Sequence, residues 1–487
     1  MDKAKDLGQV FTPASIVHQI LDEVGYTSNN PAILDQKIFE PACGEGVFLY
    51  AIIDRLVAAA HRAGMDNTNT ARLISENVWG VEYDEELFIS TKSNLLAYCE
   101  QQYNLKPVLN LYQQDSLTFG HEDEFDYVVG NPPYIRVHNM PAPMRAAVKS
   151  HAHSTGTTDL YVIFIELGLK WLRAGGQLGY IAPNSWLRNT SQQKLRTAFI
   201  KGRQLRKVVD FGHRQIFDTA ATYTALLFLA ADPNPADTFR YEQDSDEQYA
   251  IDAPYARFEG TPQFTFSFAA PEGETFLTAV GARFTRLAQV ATVQNGLATL
   301  GDRFFFLPPG HPSLIFIEPS ALLPAIKAST YKGIDQGLQG IFPYTLTAGG
   351  AVPWAEAELD SRPGLRGYLE NEREALAGRS LDSKALWFHY GRSQALKQVG
   401  LRKLVISPVV APGQVSLRTY IVPADTLVYS GLFLTETDPA WPLERLQAAL
   451  DTPDFYRYAR LLGKDMQGGY KSINPRTILE YGLPAYA

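Results

Sequence analysis

Residues 131–134 read Asn131-Pro132-Pro133-Tyr134, directly after the apolar run Asp126-Tyr127-Val128-Val129-Gly130. Two prolines fix the backbone and remove two N–H donors, so the turn presents acceptors: the Pro132 carbonyl beside the Asn131 side-chain oxygen. Such a pair, one hydrogen-bond length from a planar aromatic amine, accepts both of its hydrogens. The lone pair of that amine is delocalised into its ring and is a poor nucleophile. Acceptors that draw the hydrogens out of plane favour the pyramidal form, a stabilisation weighted toward the transition state. Tyr134 adds a flat face for the ring carrying the amine. The plainer reading is a Pro-rich turn with Tyr134 as core filler.

A second set of residues weighs against that plainer reading. Phe39-Glu40-Pro41-Ala42-Cys43-Gly44-Glu45-Gly46 ends an apolar strand and runs straight into a helical pattern. Gly44 and Gly46 allow a tight turn and close approach to a ligand, as in a dinucleotide site. Two glycines are present where G-x-G-x-x-G needs three, however, and Glu40 would repel a pyrophosphate. Glu82, ending Gly80-Val81-Glu82-Tyr83-Asp84, can accept from both hydroxyls of a ribose; Asp115, in Gln114-Asp115-Ser116-Leu117, can accept from an exocyclic amine. Each acid alone is equally a helix N-cap or turn former. Together, at three successive strand ends, they describe a phosphate-free cationic nucleoside, which fits S-adenosyl-L-methionine.

The elements that must place these residues alternate as strand and helix. Candidate strands are Lys37 to Phe39, Val78 to Glu82, Val108 to Tyr112, Tyr127 to Gly130, Leu178 to Ala182, Lys207 to Phe211 and Tyr223 to Ala230. Strands buried on both faces and separated by amphipathic helices predict a parallel α/β sheet, which binds ligands at its carboxyl edge. The Pro- and Asp-rich stretch from Ala231 to Asp252 reads as a boundary or linker. Beyond it, Arg303 to Gly310 and Gly333 to Trp354 read as irregular, and the region from Trp387 as more regular.

The chain has 487 residues, 45% hydrophobic and 20% charged, which predicts two to four domains and excludes wholesale disorder. No apolar run is long enough to span a bilayer, and the start lacks the apolar segment of a signal peptide. Two cysteines, Cys43 and Cys99, cannot build a disulfide framework; a cytoplasmic protein is expected. The His151-Ala152-His153 pair has nothing to complete a metal site, so no metal is expected. The net charge of −8 disfavours general coating of polyanions, although residues 188–214 carry eight Lys or Arg against one acid.

Gly8-Gln9-Val10-Phe11-Thr12-Pro13, the Phe39–Gly46 loop and Gly130-Asn131-Pro132-Pro133-Tyr134 occur in an order and spacing that resemble the gamma class of S-adenosylmethionine-dependent DNA adenine-N6 methyltransferases of restriction–modification systems. The similarity runs from residue 8 to about 231, and more weakly to the C-terminus. It implies an α/β fold: a Rossmann-like, mostly parallel sheet with one antiparallel strand, followed by a C-terminal α+β target-recognition domain. The expected division is 1–240 catalytic, 241–285 linker or small β insertion, and 286–487 target recognition. By the same resemblance Phe11, Thr12 and Pro13 close over the methionine part of the cofactor, and Glu40, Ala42 and Gly44 surround it. Glu82 binds the ribose, Tyr83 lies beside the adenine, and Asp115 and Ser116 meet its edge, though the family often has an aromatic where Ser116 stands. Asp159, Leu160 and Phe164 line the methionine end.

Phe217 matches the second aromatic gripping an extruded base, with Tyr134 on the other face, while Asn131 and Pro132 place N6 for direct in-line transfer. No nucleophilic cysteine stands in the Pro-Pro turn, as carbon-5 cytosine methylation would need. Arg392, Lys397, Arg402, Lys403 and Lys471 are candidate contacts to phosphates or base edges. The implied partners are double-stranded DNA and a separate cognate restriction endonuclease, with no membrane and a monomeric chain. A fused nuclease is not expected, since the cofactor-closing segment begins at Gly8 and no nuclease motif follows. Two alternatives remain: a protein-glutamine N5 methyltransferase, since the same turn serves amide nitrogens, and a non-catalytic DNA-binding subunit of a defence complex.

Overall fold

Two parallel neighbours flank the short strand β1 (Ile38–Glu40): β2 (Val78–Glu82) on one side and β4 (Phe125–Gly130) on the other. The computed structural model describes residues 12–140, 142–151, 153, 158–217, 222–245, 248–259, 266 and 268–485. They fall into two compact units, Met1–Ala270 and Pro271–Ala487.

The first unit is built on one nine-stranded sheet. With β3 (Asn110–Gln113), β5 (Leu172–Pro183), β6 (Leu205–Asp210), β7 (Thr224–Ala230), β8 (Thr238–Asp244) and β9 (Gln248–Pro254), its order is β3-β2-β1-β4-β5-β7-β6-β8-β9. Strand β7 is antiparallel to both β5 and β6, the single reversal expected. A second reversed strand, β9, pairs with β8 as a hairpin on the sheet edge, with β8 parallel to β6.

This hairpin occupies the stretch read from its prolines and acids as a boundary. Its strand signal is the alternation in Thr-Phe-Arg-Tyr, where Phe239 and Tyr241 turn into the core and their neighbours do not. The expected segment 241–285 is thus shared between the units: its start completes the sheet, and its end includes the helix Pro271–Gly281 of the second unit.

Helices cover both faces of the sheet. On one lie α1 (Ala14–Glu23), α2 (Val47–Arg62), α3 (Asn67–Asn77) and α4 (Glu85–Tyr103), packed on Ile38, Val78, Tyr127, Val129, Ile181 and Leu226. On the other lie α5 (Ala142–Lys149), α6 (Leu160–Trp171) and α7 (Gln193–Gly202), packed on the alternate residues Phe39, Val81, Val128, Tyr180, Ala182 and Leu227. Successive strand residues face opposite ways, so an apolar run such as Tyr127-Val128-Val129 feeds both layers. Asp66 and Asp84 cap α3 and α4 through the amides of Asn69 and Leu87, fixing where each helix starts after its loop.

The second unit is α+β. One antiparallel sheet joins Ala291–Asn295, Leu432–Glu436, Lys403–Ile406 and Tyr420–Val422; a mixed sheet joins Phe306–Leu307, Gln339–Ile341, Leu322–Lys327 and Leu427–Tyr429, the last two in parallel. The stretch read as irregular also holds a hairpin, Tyr344–Thr347 with Gly350–Pro353.

Phe39 locks β1 into the first unit: its ring stacks on Phe119 and Phe125 at 4.8 and 4.7 Å and meets the edge of Trp171 at 5.1 Å. Phe39→Ala should therefore cost about 3–5 kcal/mol in denaturant unfolding, the range for emptying a packed aromatic site; a loss below about 1 kcal/mol would show that this cluster does not hold β1.

Candidate active site

Strand order reverses at β1, and the crevice outside its carboxyl end is where a ligand enters a doubly wound sheet. A pocket opens there, and twelve of the residues singled out from sequence line it: Thr12, Glu40, Ala42, Gly44, Glu82, Tyr83, Asp115, Ser116, Asn131, Pro133, Leu160 and Phe164. Ile135, Met144 and Leu87 complete the apolar wall. Ile135 and Met144 were not singled out; apolar residues just after the Asn-Pro-Pro-Tyr turn were their only signal.

Glutamate 82 is the knot of the loops. One of its oxygens accepts from the Gly44 amide at 2.9 Å and the other from the Asp84 amide at 2.8 Å. The Gly44 carbonyl accepts from the Thr91 hydroxyl at 2.7 Å, and Cys43 N–H donates to the Val81 carbonyl at 2.9 Å. Gly44 and Gly46 have φ of 53° and 81°, in the left-handed region, and a Cβ on Gly46 would stand 3.0 Å from Thr91. Burial holds the Glu82 carboxyl above its ordinary range despite these amides.

Glu40 has weaker support, a hydrogen bond from the Leu49 amide. It is 2% exposed, and its Oε2 is buried without a hydrogen-bond partner. Burial first, then the charge of Glu82, pushes its carboxyl well above the ordinary value. Gly130, at φ 149°, lets β4 pass close by: a Cβ there would lie 3.4 Å from Glu40 Cγ. The same surroundings push the Cys43 thiol upward, through burial and then the charges of Glu40 and Glu82, so it is held as a thiol. A buried acid with one oxygen left without a partner beside a pocket suits a cation, and Glu40 fits the charged end of S-adenosyl-L-methionine.

Asp115 accepts from the Leu117 amide at 2.9 Å and starts the turn Ser116–Thr118, while the Ser116 hydroxyl donates to the Pro41 carbonyl. Tyr83 stands at the rim, 53% exposed. Asn131 Nδ2 donates to the Thr12 hydroxyl at 3.1 Å, joining the N-terminal segment to the Asn-Pro-Pro-Tyr turn.

Other singled-out residues lie off the pocket wall. The Pro13 carbonyl starts α1 by accepting from Ile16 and Val17, Pro132 is buried, and Asp159 precedes α6, bridged to Arg136. Phe11 lies outside the described residues. Tyr134 donates to the Ile181 carbonyl at 3.3 Å, and its ring meets Phe217 at 6.3 Å and 63°. Phe217 is 2% exposed. A ring held between two aromatic faces needs them roughly parallel and about 7 Å apart, twice the van der Waals contact, so here the two rings contact each other and leave no slot.

Away from the pocket, His151 and His153 both turn Nδ1 to Glu166, at 3.2 and 2.7 Å. Among the described residues no cluster of His, Cys, Asp and Glu is arranged to hold a metal ion.

Of the cations assigned to DNA, Lys403 is corrected. It is 1% exposed, and its ammonium donates to the carbonyls of Leu401, Ala424 and Thr426, with burial drawing its pKa down to about 8. It closes a strand end and cannot reach a phosphate. Arg402 pairs with Glu444, and Arg392 donates to the Ser380 and Gly391 carbonyls near Asp382. Lys397 is exposed, and Lys471 is half-buried on a short strand beside Val410.

Residues 63–217 match the family described as Eco57I restriction-modification methylase, a span containing Glu82, Asp115, the Asn131–Tyr134 turn and Phe217. The chain is 26% identical over 513 residues to the Type II methyltransferase M.PaeR7I of Pseudomonas aeruginosa, covering 99% of this chain and 86% of that protein. It is 26% identical over 422 residues to M.BstVI of Geobacillus stearothermophilus, covering 78% and 73%. In sequence the chain is similar to the restriction–modification DNA methyltransferases. The fold also matches the solved Type IIL restriction-modification enzyme MmeI in complex with DNA, at TM-score 0.65 and 13% identity, over 96% of this chain and 65% of that one.

The buried acid gives the methylase a pH signature. Because its folded pKa lies above the ordinary value of 4.5, Glu40 contributes stability that is complete below that pH and is lost as pH rises through the folded pKa. Glu40→Gln carries no such loss, so its melting temperature minus that of the wild type should increase as pH rises from about 4.5. A difference independent of pH would mean that the carboxyl is not strained by burial.

Proposed function

We propose that this methylase transfers a methyl group from S-adenosyl-L-methionine to N6 of an extruded adenine at a specific site in double-stranded DNA. The observation carrying this reading is the juxtaposition of the Glu40–Glu82 pocket with Asn131, whose amide reaches the same pocket wall. Glu40 would pair with the cationic end of the cofactor, with Phe11, Thr12, Pro13, Ala42, Gly44, Asp159 and Phe164 around the methionine part. Glu82 would accept from ribose hydroxyls, Tyr83 would lie beside the adenine, and Asp115 and Ser116 would meet its edge. When bound, the cofactor supplies an electrophilic methyl group on a positively charged sulfur.

The chain's own residues do the rest. Asn131 Oδ1 and the Pro132 carbonyl accept the two hydrogens of the target amine and favour its pyramidal, nucleophilic form. Pro132 and Pro133 hold that corner rigid. Tyr134 and Phe217 grip the base once their rings have parted, offsetting part of the few kcal/mol that extrusion costs. The curated relatives are Type II methyltransferases, which supports DNA as substrate; the second unit would then recognise the target, with Arg392, Lys397, Arg402 and Lys471 as candidate contacts. No helix among the described residues is long and apolar enough to cross a membrane. We place the methylase in the cytoplasm as a monomer alongside a separate cognate endonuclease.

The test is transfer of labelled methyl groups from S-adenosyl-L-methionine to unmodified genomic DNA, followed by digestion to nucleosides. Label should appear as N6-methyldeoxyadenosine, and Asn131→Ala should lower the rate about 100-fold or more while cofactor affinity stays within about twofold. Label in N4-methyldeoxycytidine, in polypeptide, or nowhere would overturn the proposal.

A further inference from the structure

The loop carrying Phe217 leaves the sheet at the end of β6, and its root is gripped from two other strands. Asp210, the last residue of β6, is 1% exposed. Its Oδ1 accepts from Asn184 Nδ2 and from the Gly212 amide, both at 2.9 Å. The Tyr241 hydroxyl, from β8, lies 3.0 Å from its Oδ2 and 2.7 Å from Gln243 Oε1, with one proton for the two acceptors. Asn184, immediately after β5, uses its other hydrogen on the Gly212 carbonyl at 3.2 Å. Gln243 Nε2 donates to the Asp210 carbonyl at 3.1 Å. Gly212 sits at φ 58°, and a Cβ there would stand 2.8 Å from Gln243 Nε2, so the loop's first turn is clamped against the hairpin. Arg214 ties the next turn to Asp244 at 2.8 Å and donates its amide to the Phe211 carbonyl.

A buried carboxylate is a costly way to end a strand unless its partners are needed in fixed places. Here those partners hold the two ends of one short path. Gly212 is anchored on Asn184 and Asp210, and five residues later Phe217 lies against Tyr134. Tyr134 has its own anchors, the prolines before it and the Ile181 carbonyl. The two rings must part to admit a base, and the clamped root is the fixed point from which Phe217 is carried.

We propose that Asn184, Asp210 and Tyr241 form a positioning network that sets the root of the Phe217 loop and thereby the grip on the extruded base. The β8–β9 hairpin, in this view, is a brace for base capture. The inference rests on the base-extruding function proposed above and assigns the network no contact with substrate or cofactor.

The test uses the full chain, S-adenosylhomocysteine, and a duplex with 2-aminopurine at the adenine mapped by methylation. Asn184→Ala and the shape-preserving Tyr241→Phe should each lower the fluorescence rise on binding about threefold or more and kcat/KM for DNA about tenfold, with cofactor affinity unchanged. Adding Asn184→Ala to Phe217→Ala should reduce kcat/KM no further than Phe217→Ala alone, because one acts through the other. Wild-type fluorescence in both single variants, or losses that multiply in the double variant, would overturn the network's role while leaving the function standing. No fluorescence rise in the wild type would instead overturn base capture itself, and the network's role with it.

Discussion

Two carboxyl groups at the ends of adjacent parallel strands, in one poorly solvated pocket, set the terms for the rest of the first unit. Like charges in such surroundings resist ionising together. Glu82 is relieved by two backbone amides, and those amides exist in the right place because Gly44 turns left-handed and Asp84 caps the following helix. Glu40 receives less, the amide of Leu49, and Oε2 is left without a hydrogen-bond partner. The switch in strand order at β1, the close pass of Gly130 and the aromatic cluster on Phe39 all serve to keep that acid where it is. A ligand bringing positive charge completes what the fold leaves open.

The acceptor corner is coupled to this pocket through short, stiff links. Asn131 follows Gly130 directly, so the strand end that packs on Glu40 also fixes the start of the turn. Thr12 accepts from the Asn131 amide at 3.1 Å and lines the pocket itself, which joins the pocket to the Asn-Pro-Pro-Tyr turn. Tyr134 and Phe217 are packed edge to face. In the proposed function, the burial that this pair forfeits on parting is recovered by stacking on a base.

Much of this was legible in the sequence, because strand ends in a parallel sheet are announced by apolar runs that stop at a chemical residue. Glu40, Glu82, Asp115 and Asn131 all follow that rule, and six of the seven expected strands lie within two residues of observed ones, while the fifth begins six residues earlier than expected, at Leu172. The β8–β9 hairpin was missed because its surrounding prolines and acids outweighed a short Phe-Arg-Tyr alternation. Lys403 was misjudged on charge alone, although it opens the strand Lys-Leu-Val-Ile, whose neighbours are all buried. Phe217 was legible as a residue type, but its packing on Tyr134 was not, since contacts between distant loops leave no period in the sequence. The second unit was least legible, its strands being short and separated by Gly- and Pro-rich turns.

The most direct test of the central claim, that a buried acid awaits a cation, is calorimetric titration with S-adenosyl-L-methionine in two buffers of different ionisation heat. Across a pH series upward from about 4.5 the account predicts a window of net proton release on binding, because pairing favours ionised Glu40, and loss of that release with weaker binding in Glu40→Gln. Heats that do not depend on buffer, with equal affinity in the variant, would contradict it.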